Sequence, residues 1–353
     1  MKRERFRLAV DAANLVRDKR GMGRLARAVL RETLADPAIE LTLLAERGSD
    51  VRALRAEFPQ TRVRWPITAQ ISGTYDALWY PFNGMRFPSA APSLVTIHDV
   101  FAFTEPHPER VARYREQAPI ERAARVATRV LTDSFWSRRE IVRALGVSRD
   151  RITVVHPSPD AFWFPKEGDV LPAPIANRKF ALLVGVRERR KNARMALDAC
   201  ARAFAGTRDK TLVIVGELAP DDRVFARTLG LSCGEIAASD ALLRALYRKA
   251  SAVLVPSLAE GFGMVAVEAL ACGAPVLAAN AAALPEATDG AALLLDPRDV
   301  AAWARAIREL CDDDARADAM RASAVARFAT SDRTRAARET LAILKNLAAS
   351  RSW

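Results

Sequence analysis

PSLAEGFGMVAVEALACGAPVLAANAAALPEATDGAALLLDPRD, residues 256–299, decides the fold. The apolar run AVLVP (252–256) leads into it as a strand, and a helical pattern opens near Gly263 and runs to about Cys272. Two more short apolar runs follow, APVLAA (274–279) and ALLLD (292–296). Short apolar runs alternating with longer helical patterns imply a parallel sheet covered by helices on both faces. The strand-to-helix turn carries Glu260, Gly261, Phe262, Gly263 and Met264. Its glycines let backbone N–H groups come close to a ligand, and the helix start adds unpaired donors and a partial positive charge. Such a turn suits a phosphate or a group of sugar hydroxyls. Glu268 stands alone among Val265, Ala266, Val267, Ala269, Leu270 and Ala271. A carboxylate on so apolar a helix needs partners, and ribose hydroxyls would serve.

The same alternation extends outward through the chain. FALLVG (180–185) and TLVIVG (211–216) complete one series of strands. An earlier series runs through FRLAVDA (6–12), LTLLA (41–45), ALWY (77–80), LVTIHD (94–99), RVLTDS (129–134) and ITVVH (152–156). Between the two series, residues 157–179 are rich in proline and carry no periodic pattern, which marks a linker. The expectation is an α/β protein of two doubly wound, Rossmann-like domains facing each other across a cleft, residues 1–165 and 166–353. The tail from Asp299 adds three Ala- and Arg-rich helical stretches to the second domain. Ligands of such sheets sit beyond the carboxyl ends of the strands.

Composition narrows the function. With 353 residues, half of them hydrophobic, the chain is long enough for two cores. Its apolar runs fall well short of the roughly 20 residues of a membrane-spanning helix. The N-terminus reads as a first strand, not a signal peptide, so a cytoplasmic protein is expected. Four scattered cysteines and three histidines argue against a structural zinc site. Net charge is +12. Residues 1–165 hold 27 Lys/Arg against 19 Asp/Glu, a balance of +8; the remainder holds 27 against 23, a balance of +4. The excess is nearly all arginine, as a GC-rich genome would produce. No aromatic-rich RNA-binding motif, recognition-helix signature or zinc finger accompanies it, so a nucleic-acid partner is not expected.

Residues 256–299 resemble the donor-binding signature of glycosyltransferase family four and of the wider retaining enzymes with the GT-B fold. That signature is P-S-x-x-E-G-F-G, a second glutamate, A-x-G-x-P-V, L-P-E and D-P. Pro256, Ser257, Glu260 to Gly263, Glu268, Gly273, Pro275, Leu284 to Glu286 and Asp296-Pro297 match it in order. The family also has a G-x-x-E-P-R-K-N turn, matched by Gly185, Glu188, Arg190, Lys191 and Asn192, with Arg189 in place of the proline. An Arg fork and a Lys point charge together can neutralise a leaving diphosphate. In the first half, Gly21-Met22-Gly23-Arg24 resembles the family's G-x-G-R turn, His98-Asp99 its H-D motif, and Thr132-Asp133-Ser134 a further motif.

The resemblance implies a retaining hexosyltransferase that uses a nucleotide sugar and no metal or other cofactor. Glu260 would hold hydroxyls of the transferred sugar and Glu268 the donor ribose. Gly23, Gly185, Gly261, Phe262, Gly263 and Met264 would line the donor site. His98 would approach the donor sugar, with Asp99 orienting its ring. Gly21, Arg24, Asp99 and Ser134 are acceptor-side candidates. GDP-mannose is the first-choice donor by family association, with UDP-glucose, UDP-linked amino sugars and dTDP-rhamnose as alternatives. The acceptor would be a saccharide or lipid-linked saccharide of bacterial surface polysaccharide. The basic stretch 108–129, with Arg110, Arg113, Arg115, Arg122, Arg125 and Arg129, reads equally as a face for an anionic membrane or as a solvated arginine-rich helix, with Arg122, Arg125 and Arg129 sharing one side. A glycoside hydrolase would need two converging carboxylates and no diphosphate clamp.

Overall fold

A computed structural model describes residues 5–18, 21–65, 75–85, 90–165, 168, 170–329 and 332–349. Residues 166, 167 and 169 of the expected linker lie outside these. The chain forms two compact units, one of residues 1–158 together with 334–353, the other of residues 159–333.

In the first unit seven strands pair in parallel: β1 (Phe6–Asp11), β2 (Ile39–Leu44), β3 (Arg62–Arg64), β4 (Ala77–Tyr80), β5 (Ser93–Thr96), β6 (Arg129–Thr132) and β7 (Ile152–Val154). Their order across the sheet is β3-β2-β1-β4-β5-β6-β7. Successive side chains of a strand point to opposite faces. Accordingly Leu8 and Val10 bury into one layer with Val29, Leu30 and Leu43, while Ala9 joins Leu78, Val95, Ile97 and Ile120 in the other. Helices cover both layers, so the central strands show continuous apolar runs.

In the second unit six strands pair in parallel: β8 (Lys179–Val184), β9 (Lys210–Val215), β10 (Cys233–Ile236), β11 (Ala252–Val255), β12 (Val276–Ala279) and β13 (Leu293–Leu295). Their order is β10-β9-β8-β11-β12-β13. The chain reverses direction across the sheet between β8 and β11. In sheets of this kind ligands bind at such a switch point, beyond the carboxyl ends of the two strands.

Three expectations are corrected. The unit boundary lies at 158/159 rather than 165/166. Trp163, 1% exposed, belongs to the second unit's core and stacks edge-on against Tyr247 at 5.7 Å, which draws residues 159–165 into that unit. The last helix, Arg335–Ala349, belongs to the first unit rather than the second. Its Ala336, Ala337, Leu344 and Leu347 bury in the same layer as Leu8 and Leu30, and Lys345 Nζ pairs with Asp36 at 2.6 Å. Arg129 does not share a helix face with Arg122 and Arg125. The helix ends at Val126, and reciprocal bonds between Ser93 and Thr128 turn the chain into β6, which begins at Arg129.

Candidate active site

The β8/β11 switch point gathers the expected donor residues of the second unit. After β8 and Gly185 comes one turn of 3-10 helix, Arg189–Lys191. After β11 comes the loop 256–263. Asn192 fastens the two together. Its backbone is left-handed (φ 56°), a conformation asparagine tolerates better than most residues. Its Nδ2 donates to the carbonyls of Pro256 at 3.2 Å and Pro297 at 2.9 Å. The N–H of Leu258 donates to the carbonyl of Arg190 at 2.7 Å. Motif segments distant in sequence are thereby held as one frame.

Within that frame Glu260, 7% exposed, is a hub. Its Oε1 accepts from Lys191 Nζ at 2.7 Å and from Ser257 Oγ at 2.8 Å, and its Oε2 from Arg190 at 3.1 Å. Arg190 also donates to the carbonyl of Ala259 at 3.2 Å and to Glu188. A buried carboxylate requires such compensation. Two cations and an acid therefore face one another beyond the ends of β8 and β11, a set that can exchange partners when an anion enters.

Gly263 starts the helix Met264–Ala271 with φ 108°, and a Cβ there would lie 2.6 Å from Leu284 Cδ2. The L-P-E segment thus packs directly on the glycine loop, so the two motifs form one packed unit. Phe262 anchors the loop from below, buried with Val267 and Ala287. Glu268 is buried, at 5% exposure, as its apolar surroundings require.

The first-unit candidates sit at the carboxyl ends of its own strands. His98 follows β5, but its ring is oriented by Asp133, not by Asp99. Nδ1 stands 2.6 Å from Asp133 Oδ2 and Nε2 stands 3.0 Å from the Pro81 carbonyl. Asp99 instead accepts from the Phe101 N–H at 3.1 Å, turning the chain into a short helix. Burial pushes the His98 ring down, but the charge and hydrogen bond of Asp133, the Pro81 carbonyl and the charge of Asp99 outweigh it, leaving a value of about 9. Ser134 is fully buried and caps the helix Phe135–Leu145 by accepting from the Ser137 N–H at 2.9 Å. Gly21 opens the helix Gly21–Ala35, and Arg24 is half-buried on it. Sterics demand the glycine at position 23, because a Cβ on Gly23 would fall 2.0 Å from the Asp18 carbonyl oxygen. The neighbouring Arg27, buried, ties that loop down through the carbonyls of Leu15, Asp18 and Gly23 and the carboxylate of Glu57.

The sequence reading placed Asp133 in the Thr132-Asp133-Ser134 motif without giving it a role beside His98, and it passed over Pro81 and Arg27. The available signal was an acid between a buried strand and a serine cap, at the same end of the sheet as a histidine. Among the described residues, no group of three or more His, Cys, Asp or Glu side chains is gathered as a metal site, and no helix is long and apolar enough to cross a membrane.

Residues 178–313 match the protein family described as Glycosyl transferases group 1. Over 236 residues the chain is 33% identical to O-antigen chain mannosyltransferase B of Escherichia coli, covering 63% of this chain and 62% of that one. Over 219 residues it is 33% identical to D-inositol 3-phosphate glycosyltransferase 1 of Catenulispora acidiphila, covering 56% and 52%. The matched stretch is thus less than two thirds of either relative. Among solved structures, HepE of Anabaena in complex with UDP and glucose superposes with a TM-score of 0.73 at 17% identity, covering 97% of this chain and 100% of that one. Sucrose-phosphate synthase of Thermosynechococcus elongatus gives 0.71 at 18% identity, with 98% and 100% coverage. WaaG, a glycosyltransferase involved in lipopolysaccharide biosynthesis, gives 0.69 at 15% identity, with 96% and 99% coverage. The fold is that of these GT-B proteins, two parallel α/β sheets.

Proposed function

From the match of residues 178–313 to the group 1 glycosyl transferases, we propose that this chain is an enzyme of that family and transfers a hexose from a nucleotide sugar to a saccharide or lipid-linked saccharide, with retention at the anomeric carbon and without a metal. The observation that carries this reading is the hub of Arg190, Lys191 and Glu260 at the switch point of the second sheet. An incoming diphosphate competes with Glu260 for the two cations. Glu260, released from them, can accept from hydroxyls of the transferred sugar, while Glu268 takes the ribose. As the sugar leaves, charge builds on the phosphate, and preorganised cations aimed at that charge stabilise the transition state. A divalent ion does the same in other transferases. The departing phosphate oxygen takes the proton of the acceptor hydroxyl on the same face of the sugar.

Mannose from GDP-mannose is the donor we put first, supported by the O-antigen mannosyltransferase among the relatives. UDP-glucose, UDP-linked amino sugars and dTDP-rhamnose are the other donors to be compared. The same relative supports a role in bacterial surface polysaccharide; the proposed place of that step is the cytoplasm, at the inner face of the membrane.

The test is to incubate the purified protein with a panel of nucleotide sugars, with and without EDTA, and to assign the product anomer by NMR. Release of nucleoside diphosphate that survives EDTA, with an α-linked product from an α-linked donor, is expected. Strict dependence on magnesium or manganese, or an inverted product, would overturn the mechanism. Absence of binding to any nucleotide sugar would overturn the class.

A further inference from the structure

The ends of β4, β5 and β6 meet at His98, outside the cationic hub. Both ring nitrogens of this buried side chain face groups that only accept, a carboxylate at 2.6 Å and the Pro81 carbonyl at 3.0 Å. A neutral imidazole offers one N–H and one lone pair, and so can satisfy only one of the two; an imidazolium donates to both. The main chain of His98 is fixed as well. Its N–H donates to Asn83 Oδ1 at 2.7 Å, and its carbonyl accepts from Ser137 Oγ at 3.0 Å.

The acid opposite it is equally constrained. Asp133 is 7% exposed, and its second oxygen, Oδ1, is buried with no hydrogen-bond partner. A carboxylate left so poorly solvated needs a full positive charge beside it. Among the described residues, the groups that act on the charge of the ring are Asp133 from the end of β6, the Pro81 carbonyl after β4 and Asp99 next in the chain. Each favours the charged ring, and no cation is among them.

We propose that Asp133 is a positioning residue for the transfer reaction: it locks His98 as an imidazolium that pins the ends of β4, β5 and β6. His98 then acts as a fixed cation at the carboxyl edge of the first sheet and takes no proton from the acceptor. The inference rests on the transferase reading for its catalytic consequence, but its structural core is testable without any substrate.

The chain has three histidines, His98, His107 and His156. Replacing the latter two, as His107→Gln with His156→Gln, leaves one ring to observe by proton–nitrogen NMR. In the ligand-free protein the signal should be that of a doubly protonated ring at about pH 8, losing its proton only near 9. Asp133→Asn should bring that loss down markedly, because burial is then opposed only by the Pro81 carbonyl and the charge of Asp99. A ring that is neutral at about pH 8, or that titrates near the ordinary 6.5, would overturn the proposal whatever the protein's activity.

In transfer assays on folded protein, Asp133→Asn should lower kcat roughly ten-fold or more with donor KM little changed, and Asp133→Glu should restore part of it. Full kcat in Asp133→Asn would overturn the positioning role. Should Asp133→Asn fail to fold, the titration of the otherwise native protein and the Asp133→Glu rescue still decide. A protonated His98 in a protein that uses no nucleotide sugar would count against the transferase reading and leave the lock standing.

Discussion

Lys191 Nζ lies 2.7 Å from Glu260 Oε1, although 69 positions separate the two residues. The contact joins the turn after β8 to the loop after β11, and with Arg190 it places two cations on one buried acid. Removing either cation leaves Glu260 with the other and with Ser257, so folding should be only moderately affected. Turnover should suffer more. Lys191→Ala and Arg190→Ala are each expected to cost about 2.7–4 kcal/mol in the transition state, a loss of 10²–10³ in kcat, as for a removed oxyanion donor. Steady-state rates set beside thermal midpoints decide this. Near-normal rates would reduce the hub to a structural ion pair.

Glu268 is expected to bear on donor affinity rather than on turnover. It is buried in the helix that Gly263 opens. A hydrogen bond to a charged group contributes about 1.5–3 kcal/mol. Glu268→Ala should therefore weaken binding of a nucleoside diphosphate by roughly 10- to 150-fold by calorimetry. Unchanged affinity would refute the ribose role.

Much of this arrangement was legible in the sequence, and the exceptions have physical causes. Eleven strands announced themselves as apolar runs. β3 and β10 did not, because each is a short edge strand carrying polar residues, Arg62 and Arg64 in one and Glu235 in the other. The glycine loop and its helix were readable because their residue types are dictated by local chemistry, whereas the basic turn was read through its resemblance to the family's G-x-x-E-P-R-K-N turn. The allegiance of the helix Arg335–Ala349 was not. An amphipathic pattern says that a face must be buried and not against which core. The partner of His98 was missed for the same reason. Asp99 is its neighbour in sequence, but Asp133 is its neighbour in space, brought there by the β5–β6 pairing.

Gly263→Ala separates two reasons for a glycine at the helix start. The added Cβ would meet Leu284 Cδ2 at 2.6 Å, and the backbone at φ 108° is one that L-residues rarely adopt. The side-chain end of Leu284 can move, but the dihedral cannot relax without shifting the loop that holds Glu260. Destabilisation of more than about 1 kcal/mol is expected, with weaker nucleotide binding. Adding Leu284→Ala should not restore either. Full rescue by Leu284→Ala would show that space alone, and not backbone conformation, requires the glycine.

The His98–Asp133 pair should make stability fall in alkali. The folded-state value for His98, about 9, is raised above the ordinary 6.5. Folding is therefore favoured by proton binding. The contribution is fully present below about pH 6.5 and is lost as the pH rises through about 9. Its size is on the order of a few kcal/mol for a shift of this extent. Urea midpoints measured between about pH 6 and 10 should decline across that window, and the decline should be absent in His98→Gln. A midpoint that is flat across the window would remove the pair from the stability of the first unit.

The helix Arg110–Val126 is expected to bring the protein to an anionic membrane at low salt. It carries Arg110, Arg113, Arg115, Arg122 and Arg125 against Glu116 and Glu121, five minus two, or +3. Arg129 no longer counts, since it lies in β6. Tyr114 is 71% exposed and Val111 54%, so an aromatic and an aliphatic group stand among the arginines on the outward side. Each basic residue near an anionic leaflet contributes about 1 kcal/mol, which for a balance of +3 gives roughly 3 kcal/mol before screening. That is enough for reversible association and too little for a permanent anchor. Since the attraction decays within a Debye length of about 8 Å at physiological salt, it should weaken sharply as salt is raised. Sedimentation with phosphatidylglycerol vesicles at low and at physiological salt measures it, and replacing Arg110, Arg115 and Arg125 with glutamine should abolish it. If the protein stays in the supernatant even at low salt, the arginines are a solvated surface, and a soluble saccharide acceptor fits the first unit better than a lipid-linked one.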